Sequence, residues 1–388
     1  FVIGNPLRQQ PAASGKPAAE QGYRTTGIQD LALIYQGGSH RLDWTVDEFR
    51  PYVVHRFADG SKDWLFDGFL FLEFKDGSGR NYTVGYEKLN ARRTEWEWLL
   101  DRIFEQGKSL SALDRCIGQE IKELGKPAFR HQIVLGLPEA IRGQKDWGEI
   151  DGREMDFSKE EDQIAATKWY IGELVERFKA AKYKHLELSG FYWVAEDTHH
   201  CAELTIPLSE YIHSEGKLFY WIPYWQAKGH EEWKRLGFDV AYQQPNHFFN
   251  HSIPDSRLDE ACATARRHGM AMEFEFDEKA TAAIPNSSHD RMAAYINHFE
   301  KNDVFNSSAV AYYCGNRGVL TLDESDNPKD KALMDRLARI IQARRYLKYG
   351  IPMKNKTRVV AHRGFWHTDG SAQNSIASLL KADQLGVY

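Results

Sequence analysis

Cysteine is scarce in this chain. Cys116, Cys201, Cys262 and Cys314 stand far apart in 388 residues, with no CxxC pair and no His/Cys spacing of a zinc site. That argues against a disulfide framework or structural zinc and leaves four buried free thiols as the expectation. Long apolar runs are missing too. Nothing approaches the roughly 18–20 residues needed to cross a bilayer, so no transmembrane segment is expected. There is no basic excess: a net charge of −5 gives no reason to expect a nucleic-acid partner. No GxGxxG turn and no P-loop occurs; the first strand-like run is followed only by YQGGSHRL (35–42). This weighs against a doubly wound nucleotide-binding sheet. No cofactor and no metal is called for. The expected location is periplasmic or secreted, with any leader outside the sequence in hand and the cytoplasm left open.

What the chain does carry is aromatic. Its 11 Trp, 18 Tyr and 21 Phe make 13% of the residues, more than a core usually needs, so some rings are expected to be exposed for a purpose. With 42% hydrophobic and 27% charged residues the composition is globular. Residues 1–26, rich in Pro, Ala, Gly and Gln without periodicity, read as a flexible tail. From residue 30, strand-like runs alternate with polar or helical segments. They are DLALIYQ (30–36), WLFDGFLFLEF (64–74), HQIVLGL (131–137), HLELSGFYWV (185–194), KLFYWIPYW (217–225), FDVAYQQ (238–244), MAMEFEF (270–276) and AVAYYCG (309–315). Between them lie helix signals: a Ser158/Glu161 capping box, Gly269 as a C-cap, and Asn327–Pro328 as N-cap and first residue. The returns after the first and fifth strands look short or loop-like. Eight strands with helical returns between residues 27 and 350 fit a (β/α)8 TIM barrel, a fold of about 200 to over 400 residues.

The stretch GMAMEFEFDE (269–278) puts Met270, Met272, Phe274 and Phe276 on one face and Glu273, Glu275 and Asp277 on the other. In a barrel strand the apolar face suits the helix layer, so the acids must point inward or toward the C-terminal mouth. Stacked, buried carboxylates repel, and at least one pKa should rise. LSGFYWVAED (188–197) adds Glu196 and Asp197 just past the fourth strand. Acids at the ends of strands four and seven resemble the acid/base and nucleophile positions of retaining glycoside hydrolases of the large barrel clan. That resemblance implies Glu196 as acid/base, Glu275 as nucleophile and Glu273 as a supporting carboxylate, acting on an oligosaccharide or polysaccharide. Ala195 stands where the clan usually has Asn. Glu73 and Glu187 are further inward candidates. Tyr35, Tyr192, Trp193, Trp221, Tyr224, Trp225, Tyr242 and Tyr313 fall near strand ends, where rings can stack on sugar C–H faces. Gln36, Gln243, Gln244, Asn246, His247 and Asn316 are candidate hydroxyl partners. THH (198–200) and PNHFFNH (245–251) could instead ligate a metal with Glu275, giving a metal-dependent hydrolase or lyase.

The runs LALIYQGG, FDGFLFLEF and LSGFYWVAED are also similar to an uncharacterised bacterial family of unknown function spanning about 27–350. RVVAHRGFWHTDGSAQNSIASLLKADQLGVY (358–388) resembles the opening of glycerophosphodiester phosphodiesterases. By position that resemblance implies His362 as acid/base, Arg363 as a phosphate contact, Gln373 in place of a metal-binding Glu, and Asn374 as a match. Residues 351–388 then read as a linker and an incomplete fragment of a second domain without phosphodiesterase activity of its own. The alternative function is a non-catalytic sugar-binding barrel fused to that domain.

Overall fold

The strand-like runs pair side by side. In the computed structural model, which describes residues 21–351 and 375–384, eight strands close into one parallel barrel. They are β1 (Asp30–Tyr35), β2 (Gly68–Leu72), β3 (His131–Leu137), β4 (Leu186–Trp193), β5 (Leu218–Trp221), β6 (Val240–Gln243), β7 (Ala271–Glu275) and β8 (Val310–Tyr313). Each lies within one of the eight runs expected from the sequence, and neighbours follow chain order until β8 pairs with β1, Asp30 opposite Val310.

The returns are helical: α1 (Val46–Val53), α2 (Arg93–Ile103), α3 (Ser109–Leu124), α4 (Glu160–Ala181), α5 (Ala202–Ser214), α6 (Ser256–His268), α7 (His289–Lys301) and α8 (Pro328–Tyr349). Between β5 and β6 stands only one 3-10 turn, His230–Glu232. Gly269 ends α6 at φ +65°, where a Cβ would be strained, and Asn327 caps α8 through its Oδ1, 3.0 Å from the Lys329 N–H. The Ser158/Glu161 box does not form. Ser158 turns back to Asp156 at 2.6 Å, and Asp162 receives the Asp156 N–H at 3.0 Å instead, so α4 starts at Glu160.

Alternation sorts each strand into two layers. Met272 and Phe274 of β7 pack outward, Phe274 lying 5.6 Å from the Phe299 ring of α7. Inward, Leu31, Leu33, Leu70, Val134, Tyr220 and Val240 plug the barrel. At β4 the register to β3 slips between Leu188 and Gly190. Gly190 is required there: a Cβ would lie 2.1 Å from the Leu218 carbonyl oxygen.

Residues 21–26, read from sequence as part of the tail, run against the barrel. Gln21 N–H donates to the Arg266 carbonyl at 3.0 Å, Arg24 N–H to Met270 at 2.9 Å, and Ala309 N–H to Arg24 at 2.9 Å. At the β1–β8 seam, the buried Arg344 of α8 meets Asp30 at 3.1 Å and donates to the carbonyls of Gln29, Phe305 and Ser308. The four cysteines are free and buried. Among the described residues no helix is long and apolar enough to cross a membrane.

The chain divides into two units, Phe1–Arg344 and Arg345–Tyr388. The first holds the barrel. In the second, the described residues are the end of α8 and a helix, Ile376–Gln384, begun by Ser375, whose Oγ accepts the Ser378 N–H at 3.1 Å.

Candidate active site

Above the apolar plug, at the C-terminal ends of the strands, lies a cavity of about 330 Å³. Glu273 and Glu275 of β7 enter it because their neighbours Met272, Phe274 and Phe276 are claimed by the helix layer. Glu196, three residues beyond β4, enters from the side. Tyr35, Tyr192 and Tyr313 form part of its aromatic wall, with Arg41 and Lys75 on loops that follow β1 and β2.

The three carboxyls occupy different environments. Glu275 is fully enclosed and receives the Tyr295 hydroxyl, the His247 N–H at 3.1 Å and Asn246 Nδ2 at 3.4 Å. Burial raises its pKa, while the Tyr295 hydroxyl and the N–H groups of His247, Asn246 and Phe248 oppose that rise. Glu273 accepts no hydrogen bond from the described residues. Burial, then the charges of Glu275 and Glu196, hold its carboxyl well above the usual range. Burial pushes Glu196 up to about 7, against one hydrogen bond from Gln244 and with Glu275 and Asp197 adding to the rise. Among mutually repelling acids, the negative charge settles where donors converge, which is Glu275.

Two amides tie this arrangement together. Gln244 Nε2 donates to Glu196 Oε1 at 2.8 Å and to the Ile222 carbonyl at 2.8 Å. Asn246 Nδ2 donates to Gln244 Oε1 at 2.9 Å and reaches Glu275. A continuous bridge thus runs between the carboxyls of β4 and β7.

Several residues expected at the site lie elsewhere. Glu73 is turned away and holds Arg41 with two hydrogen bonds of 2.9 Å, which fixes the guanidinium over the Tyr35 ring at 4.6 Å. Glu187 is exposed beside Gln132 at 3.2 Å. Asp277 caps a 3-10 turn through the Lys279 N–H at 2.7 Å. Trp193 and Trp221 face the helix layer, Trp193 against Phe219 and Trp221 stacked on Phe238, its Nε1 donating to the Ala195 carbonyl at 2.8 Å. Tyr242 belongs to the apolar plug. Because Tyr242 points inward, the next residue, Gln243, points outward, and the following Gln244 takes the inward position. Gln36 sits in a separate small crevice with Glu73, and Asn316 lies off the cavity wall with its buried Oδ1 unbonded. Trp225 stands under Arg257 at 4.8 Å. The His247 and His251 rings bond Asp255 and Ser288, at 2.8 and 2.9 Å, so neither turns to Glu275. Tyr224 is exposed and donates to Asp197 Oδ2 at 2.9 Å in an adjoining groove.

Sequence reasoning missed Arg41, Lys75, Phe74, Tyr86 and Phe249 on the wall, and Tyr295 behind Glu275. All come from loops or a helix, Phe74 from the bend just past β2, where strand alternation carries no signal. His362, Arg363, Gln373 and Asn374 lie outside the described residues.

The profile described as domain of unknown function (DUF4855) matches residues 30–339. No curated protein matches the chain. Among solved structures it is similar to a candidate alpha-L-fucosidase from Bacteroides thetaiotaomicron at 14% identity and a TM-score of 0.41, over 88% of this chain and 99% of that one. A tryptophan synthase complex from Pyrococcus furiosus gives 9% identity and a TM-score of 0.38, over 83% and 99%.

Proposed function

The chain belongs to the DUF4855 family, and we propose that it is a retaining glycoside hydrolase with Glu275 as nucleophile and Glu196 as acid/base. One observation carries the reading. The two carboxyls line one cavity in opposed environments, Glu275 surrounded by donors and Glu196 pushed up to about 7 by burial. Glycosidic cleavage needs one ionised and one protonated carboxyl, and the retaining assignment follows from the resemblance of the strand-four and strand-seven acids to those of the barrel clan.

In the first step a Glu275 oxygen attacks the anomeric carbon, the glycosidic C–O bond breaks, and the Glu196 proton goes to the departing oxygen. In the second, Glu196, now a carboxylate, takes a proton from water as that water attacks the anomeric carbon and releases Glu275. Glu273, kept neutral by burial and its neighbours, donates to a sugar hydroxyl. Tyr313, half-buried on the wall, offers a ring face, and Arg41, held by Glu73, offers a remaining N–H.

The test is a panel of aryl glycosides with leaving groups of graded acidity. Glu275→Gln should abolish turnover of all of them, because an amide cannot serve as the carboxylate nucleophile. Glu196→Gln should spare substrates whose leaving groups need little protonation. Sugar binding by the wild-type chain without turnover would leave a binding barrel in its place, and equal losses on all leaving groups would remove Glu196 from the acid's role.

A further inference from the structure

Beside the cavity runs a smaller groove of about 110 Å³. The two hollows share Glu196 and Tyr86. Glu273 and Glu275 line only the cavity; Glu139, Asp197, His200 and Tyr224 line only the groove. The hollows also differ in charge. Arg41 and Lys75 belong to the cavity, whereas no Lys or Arg among the described residues lines the groove. Glu139 is 5% exposed; its Oε2 accepts the Thr83 hydroxyl at 2.6 Å and the Val84 N–H at 3.2 Å. Its Oε1 accepts nothing from the described residues. Asp197 is fixed by the His199 N–H and the Tyr224 hydroxyl, both at 2.9 Å. Tyr86 and Tyr224 are 43% and 38% exposed, unusually bare for rings beside a buried carboxyl.

A glycosidic acid must stand between the sugar that is attacked and the sugar that leaves. Glu196 occupies that junction, with the nucleophile on one side of it only. We infer that the groove is the leaving-group subsite, and that it takes a sugar presenting hydrogen-bond donors, hydroxyl or protonated amine, to Glu139 and Asp197 while excluding an anionic one. The inference rests on the hydrolase reading above. Glu139 Oε1 is open to a donor from the groove, and a carboxylate or sulfate brought there would face Asp197 and a Glu139 carboxyl whose pKa burial already raises, with no Lys or Arg among the described residues on the groove wall to offset it. Tyr86 and Tyr224 supply faces for a ring.

Three phenols test this on the full chain: 3-aminomethylphenol, 3-hydroxymethylphenol and 3-hydroxybenzoate, used free and as aryl glycosides. Free-ligand binding, followed by saturation-transfer NMR, requires no catalysis. The benzoate should bind at least about tenfold more weakly than the hydroxymethyl compound, the scale of one hydrogen bond to a charged group. The same order should appear in kcat/KM of the glycosides. Glu139→Gln with Asp197→Asn should bring the three compounds together; Asp197→Asn alone, on the surface side, gives a smaller change and guards against misfolding of the double variant. A preference for the amine over the hydroxymethyl compound identifies a protonated amine as the donor, and parity identifies hydroxyl; both uphold the subsite. Benzoate binding as strong as the others, or an order that survives in the double variant, overturns it. Hydrolysis that persists in Glu275→Gln, or no hydrolysis by the wild-type chain, would sink the hydrolase reading alone, with the binding order still decided by NMR.

Discussion

Tyr295→Phe removes one oxygen and should alter the proposed hydrolysis at one end of its pH range only. Tyr295 is buried in α7 with its hydroxyl donating to Glu275, alongside the His247 N–H at 3.1 Å and the longer Asn246 contact at 3.4 Å. A hydrogen bond to a charged group contributes about 1.5–3 kcal/mol, more of which is felt where water cannot replace it. Tyr295 lowers the pKa of Glu275, so its loss raises that pKa. The rising limb of kcat/KM against pH, where Glu275 ionises, should move toward neutrality. At a fixed pH below that limb the ionised fraction falls tenfold per about 1.4 kcal/mol, a loss of roughly 10- to 100-fold. Near the top of the bell the loss should be smaller, since a larger share of the nucleophile is ionised there. The falling limb, set by Glu196 near 7, should stay in place, so the bell narrows from the acid side. Initial rates on an activated aryl glycoside between pH 4 and 9 give the answer. An unchanged rising limb, or an equal loss at every pH, would refute the idea that Tyr295 sets the charge on Glu275.

Two further outcomes concern stability. Glu196 has a folded pKa near 7, above its ordinary value of 4.5; the native carboxyl keeps its proton where the unfolded one has lost it, so the stability it contributes is present below about 4.5 and falls as pH rises through 7. Glu196→Gln should therefore be more stable than wild type at pH 8 by at most about 3 kcal/mol, with the gap closing below pH 4.5, in urea melts at both pH values; a gap independent of pH would contradict the burial argument. Gly190→Ala should cost about 1–3 kcal/mol or more in the same assay, because the new Cβ meets backbone, the Leu218 carbonyl, and not a side chain that can swing away.

The barrel was legible because every strand is short, apolar and set off by polar or helical sequence; period two and the spacing of returns suffice for that. Within the site, legibility followed the same rule. Glu273 and Glu275 could be placed because Met270, Met272, Phe274 and Phe276 leave no doubt which face belongs to the helices. Gln243 and Gln244 could not be ordered from QQ alone, and in WIPYW or FYWV nearly every residue is apolar, so alternation does not separate the outward Trp193 and Trp221 from the inward Tyr192. Arg41, Lys75, Tyr86 and Phe249 sit on loops whose course depends on tertiary contacts, and Tyr295 reaches Glu275 from a helix. Only the folded chain brings them to one place.

Arg344 also ties the two ends of the barrel to one another. The cation that locks the first strand to the last is separated from its partner Asp30 by 314 positions, so the buried carboxyl of β1 is answered from the far end of the barrel's sequence. Without Arg344 that carboxyl would keep, among the described residues, only the Tyr312 hydroxyl, 2.8 Å away, as a side-chain donor in a low-dielectric seam. A change in the last helix of the barrel is thereby felt at the first strand.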